Sequence, residues 1–339
     1  MKRNMFTQIG KRVTAFLIMF GMLGQSLPAD ISLASDSEYG ASFIEKLENV
    51  LSTGDITQFF DNSVMFQLPE GIDDDEEISV IISLDTITIM DAYDGTDKAM
   101  SFKDYALYSE DSAEIKAEIA DRKADILESL DEKGVQYTTG EDYNTVISGF
   151  EILIKAGDFA TTCKSLGDGA QAIVGEEYEP ADTKLVENAV SIYEGTGIFD
   201  SSASGYDGSG MVVAVLDTGL DSNHTAFSPS NFTSTNLGLT YQDVAAVIGD
   251  TTASELVEGL TVDDVYINEK VPFGFDYADE DPDPYSTHNN HGTHVSGVIV
   301  GKDDTITGVA PNAQLVAMKI FSDVMDTARS SWILSALED

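Results

Sequence analysis

The spacing of apolar residues changes character near residue 185. Before it, Phe43, Ile44, Leu47, Val50 and Leu51 fall on one face of a helix over 41–52, stopped by Gly54. The apolar run 78–84 predicts a strand. Ile115, Ile119, Ile126 and Leu130 form a stripe at helical spacing. With Asp111 and Glu114 as a capping pair and Gly134 just past the end, they predict a helix reaching Lys133. Segments 135–138 and 145–154 read as strands joined at Gly140-Glu141-Asp142, 156–166 as a second helix, and 172–174 as a last strand. The order β-α-β-β-α-β is a ferredoxin-like α+β pattern.

After a Gly/Ser-rich stretch from Gly195 to Gly210 the pattern is different. Segment 211–216 is almost continuously apolar, as expected of a parallel strand buried on both faces. Segments 273–276 and 313–320 read as further strands, and 291–301 and 330–338 as helices. This alternation predicts a doubly wound parallel α/β sheet, in which sites gather beyond the carboxyl ends of the strands.

The first residues read as a targeting segment. Lys2, Arg3, Lys11 and Arg12 precede the apolar run 13–23, and Ser32-Leu33-Ala34 offers small residues for cleavage. The run is too short for a membrane span of about 20 residues, so a cleaved signal over 1–34 is favoured over an anchor. Beyond it, 14 basic face 59 acidic residues, a net charge near −45. That field repels nucleic acid and anionic membrane surfaces. The 305 residues after the signal exceed one small core and predict two folded units, 35–185 and 186–339. Cys163 is the single cysteine, so no internal disulfide forms. It has no Cys-His signature and reads as a buried small apolar residue rather than a nucleophile.

The candidate chemistry lies in the second unit. Val213-Ala214-Val215-Leu216 delivers Asp217 at the end of a strand, and His291, 74 residues later, opens a helix rich in small residues. A lone Asp-Thr-Gly would read as a turn cap. Paired with His291, Asp217 suits the orienting member of a Ser-His-Asp apparatus: it fixes the imidazole tautomer and stabilises the imidazolium. A buried carboxylate there needs such a partner. Gly292 is expected to let a substrate backbone pass close by. His288, His291 and His294, spaced by three, raise a zinc reading. Asn289-Asn290 and Gly292 interrupt the helix that reading needs, and His-Glu-x-x-His is absent. His294 and His224 are expected to be packed or hydrogen-bonded structural residues. Asp279, Glu280, Asp281 and Asp283, broken by Pro282 and Pro284, could offer oxygen ligands to calcium. A solvated loop is favoured, and no metal residues are assigned.

Three stretches carry a resemblance: Asp217-Thr218-Gly219-Leu220-Asp221, Asn290-His291-Gly292-Thr293-His294-Val295-Ser296-Gly297, and Gly308-Val309-Ala310-Pro311-Asn312-Ala313 running into Leu315-Val316-Ala317-Met318-Lys319. Together they resemble the subtilase family of secreted serine peptidases. Segment 266–279 is similar to the large cell-envelope type, lactocepin and C5a peptidase. The resemblance implies an incomplete doubly wound parallel sheet of subtilisin type, preceded by a ferredoxin-like propeptide domain that docks on it. It implies a zymogen exported to the cell envelope or medium, acting on proteins or peptides. Asp217 and His291 are then catalytic, no cofactor is required for the chemistry, and structural calcium is known in many relatives. The family's Gly-Thr-Ser nucleophile motif is absent, and Ser330 and Ser331 lack its context. The chain stops at Asp339 inside a helical pattern, so the expectation is an N-terminal fragment, inactive alone. The alternatives are a non-enzymatic propeptide-like inhibitor or folding aid for another subtilase, and a metal hydrolase using the three histidines.

Overall fold

The computed structural model describes residues 68, 71–93, 100–180 and 206–339. The chain divides into two compact units, 1–65 and 66–339, and all described residues belong to the second. The expected signal segment, the helix over 41–52 and the expected boundary at 185 lie outside the described residues.

Residues 71–180 build a four-stranded antiparallel sheet. Its strands are β1 (Glu77–Leu84), β2 (Tyr137–Tyr143), β3 (Gly149–Lys155) and β4 (Ala170–Val174), in the order β2-β3-β1-β4. Between β1 and β2 come α1 (Ile89–Tyr93), α2 (Phe102–Tyr108) and the long α3 (Glu110–Lys133); α4 (Phe159–Ser165) links β3 to β4. Strand alternation sends Val80, Ile82 and Leu84 of β1, and Phe150, Ile152 and Ile154 of β3, to one face. There they meet Ile115, Ile119, Ile126 and Leu130 of α3, all buried. Gly134 ends α3 at φ 75°, a left-handed cap.

Three details differ from the sequence expectation. The N-cap of α3 is Ser109, whose hydroxyl accepts from the Ser112 N–H, so the helix starts ahead of Asp111. The turn between β2 and β3 is not at Gly140-Glu141-Asp142. Those residues lie within β2, where a bulge between Thr139 and Asp142 absorbs them, and the chain turns at 144–148. The short α1 and α2 have too few turns to show a period and were not anticipated.

Residues 206–339 hold three parallel strands, β6 (Val212–Asp217), β7 (Phe273–Asp276) and β8 (Gln314–Lys319), in the order β6-β8-β7. Around them lie α5 (Tyr241–Val247), α6 (Thr252–Leu256), α7 (Val262–Val265), α8 (His291–Val300) and α9 (Ser330–Glu338). Central β8 is buried at all six positions. Its Val316 and Met318 join a cluster with Val244, Ala253, Val265 and Ala336, and its Leu315 and Ala317 join a second with Val300 and Phe227. Strand β6 is less buried than expected, with Ala214 exposed, because among the described residues it pairs only with β8. In the register, Asp217 and Asp276 both stand opposite Lys319, so the three strands deliver these side chains at a common carboxyl end.

The two sheets are tied together. Strands β5 (Glu177–Tyr178) and β9 (Ala328–Arg329) pair antiparallel. The Glu338 carboxylate at the end of α9 accepts three backbone N–H groups of the β2–β3 turn, from Asn144 at 3.0 Å, Thr145 at 2.7 Å and Val146 at 3.0 Å. Lys103 of α2 pairs with Asp243 of α5 at 2.9 Å.

Candidate active site

Asp217 is the last residue of β6. Its backbone carbonyl accepts from Ile320 at 3.0 Å, which holds the strand end against β8. Its side chain turns toward the first turn of α8. Nδ1 of His291 lies 2.8 Å from Oδ1 and 3.0 Å from Oδ2 of Asp217, and both side chains are mostly buried. The Thr218 N–H donates to Oδ1 at 2.6 Å. With Asp217 bound at Nδ1, Nε2 is the nitrogen left to exchange a proton with a substrate or nucleophile.

The two segments are stitched by side chains whose roles the sequence did not announce. Buried Thr218 accepts from the Gly292 N–H at 3.0 Å and donates to the Asn289 carbonyl at 3.3 Å. Thr293 accepts from the Asp221 N–H at 2.8 Å, and the Asn289 side chain accepts from the His291 N–H at 2.9 Å. Short-range hydroxyls therefore fix the approach of α8 to β6. A Cβ added at Gly292 would sit 2.3 Å from the Gly219 carbonyl oxygen. The close approach there is made by the protein's own Asp-loop, which corrects the expectation of a passing substrate. Gly219, at φ 114°, needs glycine for its conformation and for the Pro284 carbonyl that would lie 2.3 Å from a Cβ.

Opposite Asp217 in the strand register lies a buried cation. Lys319 Nζ, fully enclosed, donates to Asp276 at 2.6 Å and Asp279 at 2.7 Å. Burial pushes the Asp276 carboxyl up to about 6, against the pull of Lys319. Burial also opposes the charge of Lys319, but its two carboxylate partners outweigh it and hold the ammonium above its ordinary value. Asp279 also accepts from the Ser322 hydroxyl at 2.6 Å and the Asp323 N–H at 2.8 Å. The acidic loop is thus not wholly solvated: Asp279 is committed inward, and a lysine fills the place between Asp276 and Asp279 that a cation would take. Among the described residues no three His, Cys, Asp or Glu side chains converge to hold a metal ion.

The three histidines do not come together. His288 is largely exposed, with Nδ1 at 2.9 Å from the Thr287 hydroxyl, and His294, expected to be packed or hydrogen-bonded, is exposed. His224 Nδ1 accepts from the Ala226 N–H at 3.2 Å and its ring lies against Phe227. Ser330 opens α9 and accepts from the Glu176 N–H at 3.1 Å, while Ser331 is buried. Cys163 is half-buried against the first core, and burial pushes its thiol up to about 11.

The sequence model of the subtilase family matches residues 208–339, the stretch that carries Asp217 and His291. That segment belongs to the subtilase family. Comparison with curated proteins agrees. The chain is 30% identical to the PI-type proteinase of Lactococcus lactis subsp. cremoris over 270 residues, which is 76% of this chain and 13% of that protein. It is 28% identical to subtilisin E of Bacillus subtilis (strain 168) over 138 residues, 40% of this chain and 25% of that one. It is 32% identical to the C5a peptidase of Streptococcus pyogenes serotype M18 over 132 residues, 36% of this chain and 10% of that one. The match thus spans 13% of the PI-type proteinase, 25% of subtilisin E and 10% of the C5a peptidase. No helix among the described residues is long and apolar enough to cross a membrane.

Proposed function

We propose that this chain supplies the acid-base half of an exported serine peptidase together with the propeptide that docks on it. The observation that carries the reading is the contact of His291 Nδ1 with the Asp217 carboxylate at 2.8 Å, at the carboxyl end of a parallel sheet. In the proposed reaction a serine hydroxyl attacks the peptide carbonyl and its proton passes to Nε2 of His291. The imidazolium, stabilised by Asp217, then gives that proton to the leaving amine, and water resolves the acyl-enzyme by the same path in reverse. No cofactor takes part.

Residues 1–34 are read as the export signal, 35–185 as the propeptide and 186–339 as part of the peptidase domain. The sheet order β2-β3-β1-β4, antiparallel throughout, supports a ferredoxin-like propeptide. The Glu338 contacts and the β5–β9 pair support its docking on the subtilase segment of the same chain. This favours a zymogen over a free inhibitor of another enzyme. The PI-type proteinase and the C5a peptidase among the relatives support action on proteins.

The 339 residues contain no Gly-Thr-Ser, so on this reading the polypeptide by itself lacks its nucleophile. A fluorophosphonate-type serine probe should leave it unlabelled and should label a polypeptide extended by a subtilase serine segment. Labelling of the 339-residue chain at Ser330, Ser331 or another serine, with matching proteolysis, would show that a different nucleophile operates.

A further inference from the structure

His291 is reached through a loop, 283–290, that forms neither helix nor strand, with Tyr285, Thr287 and His288 exposed. Every residue ordered in such a loop loses backbone entropy, so side chains must tie it down. Its two ends are held by the Asp217 segment. The Pro284 carbonyl accepts from the Leu220 N–H at 2.8 Å, and the Asn289 carbonyl accepts the Thr218 hydroxyl at 3.3 Å. Between those ends the loop leans on Asp323, which lies just past β8. Oδ1 of Asp323 accepts the Ser286 hydroxyl at 2.6 Å, and Oδ2 accepts the Thr287 N–H at 3.2 Å and its hydroxyl at 3.4 Å. Among the described residues, every hydrogen bond from 285–288 to a residue outside the loop ends on Asp323. Ser286 passes the hold on, since its oxygen accepts the His288 N–H at 3.3 Å and the Asn289 N–H at 3.1 Å. The Asn289 side chain then accepts the His291 N–H at 2.9 Å.

Asp323 is itself fixed from behind. Its N–H donates to Asp279 at 2.8 Å, and Asp279 is held by the enclosed Lys319 at 2.7 Å. The Asp323 carboxylate lies 3.8 Å from the same ammonium. Burial opposes its charge, but the Ser286 hydroxyl, the Thr287 amide and Lys319 outweigh it and hold the carboxyl below its ordinary value. An ionised carboxylate accepts with both oxygens, and hydrogen bonds to it belong to the stronger class. We propose that Asp323 is a positioning residue for His291: through Ser286 and Asn289 it sets the loop so that the imidazole meets the Asp217 carboxylate in one orientation.

The ring's own hydrogen bonds go to Asp217, so Asp323 acts on where the ring is carried and not on its protons. Position matters because a displacement of about 1 Å at a reacting group can cost about 10²-fold in rate, and a site on a loop keeps its geometry only through such supporting bonds. The consequence for peptide turnover rests on the functional reading above; the hold on the loop does not.

The test is amide hydrogen exchange, with nitrogen-15 NMR of the histidine rings, on the whole 339-residue chain. Asp323→Ala and Ser286→Ala should each speed exchange at 287–291 by about tenfold, the worth of one hydrogen bond to a charged group. The two His291 ring nitrogens should shift toward each other as a second tautomer gains population. Ser286→Thr keeps the hydroxyl and should restore both readings. The double variant should be no worse than the more affected single one, because both changes remove the same contact. Asp323→Ala also takes a neighbour from Lys319, so Ser286→Ala, which leaves Lys319 and its partners in place, decides the matter if Asp323→Ala fails to fold. Wild-type exchange and ring shifts in Ser286→Ala would overturn the proposal. So would faster exchange spread equally over β6 and β8, or a Ser286→Thr chain as disturbed as Ser286→Ala. The wild-type tautomer reports on the Asp217–His291 reading, whereas exchange at 287–291 decides the role of Asp323 whichever tautomer the wild type holds.

Discussion

Replacing His291 by alanine, in a polypeptide extended to carry the nucleophilic serine segment, removes nearly all peptide turnover. Without Nε2 nothing takes the hydroxyl proton at neutral pH, and the attack must proceed from an un-ionised serine. Asp217→Asn keeps the shape of the pair but offers an N–H where His291 needs an acceptor. The imidazole then settles in the wrong tautomer, and kcat is expected to fall by about 10⁴. His288→Ala and His294→Ala change exposed side chains outside the pair and should cost far less. Steady-state hydrolysis of an unstructured protein substrate checks all four. If chelator treatment abolishes turnover without unfolding the protein, and His291→Ala leaves it, metal chemistry replaces this account.

The second large effect is on stability. Lys319→Ala should destabilise the folded chain by about 3–5 kcal/mol, the usual consequence of removing one partner of a buried pair and stranding the other. Asp276 is buried and would lose the only cation that contacts it among the described residues. The deficit should depend on pH. A raised Asp276 carboxyl is neutral and harmless below its ordinary value, and its penalty grows as pH rises through the folded value, about 6 in the wild type and higher without Lys319. Urea unfolding should therefore show a larger loss near pH 8 than near pH 5. A loss under 1 kcal/mol at both, the size of an exposed ion pair, would mean that Lys319 does not hold the strand ends.

Much of this architecture could be read from residue spacing because the spacing is what packs. The stripe Ile115, Ile119, Ile126 and Leu130 is the buried face of α3, and β8 is buried where its apolar run predicted. Asp217 and His291 stood out because a carboxylate at a strand end and a histidine at a helix start have few purely structural uses. What escaped was decided by partners distant in sequence. Gly140 looks like a turn locally, but β3 holds the chain extended through it and makes a bulge. Nothing local marks Glu338, whose role depends on the amides of the β2–β3 turn, or Lys319, whose role depends on Asp276 and Asp279. Thr218 lay inside a recognised motif, yet its bonds to Asn289 and Gly292 appear only when α8 is folded against β6. The same holds for β5 and β9, two residues each, which have no pattern of their own.

The imidazole of His291 gives the most direct test. Nitrogen-15 NMR of the 339-residue chain, with histidine labelled and His291 assigned by its absence in His291→Ala, reads which ring nitrogen carries the proton. The account predicts a neutral ring protonated at Nδ1 and bare at Nε2, with that preference lost in Asp217→Asn. A ring protonated at Nε2, or the same tautomer with and without the Asp217 carboxylate, would contradict it.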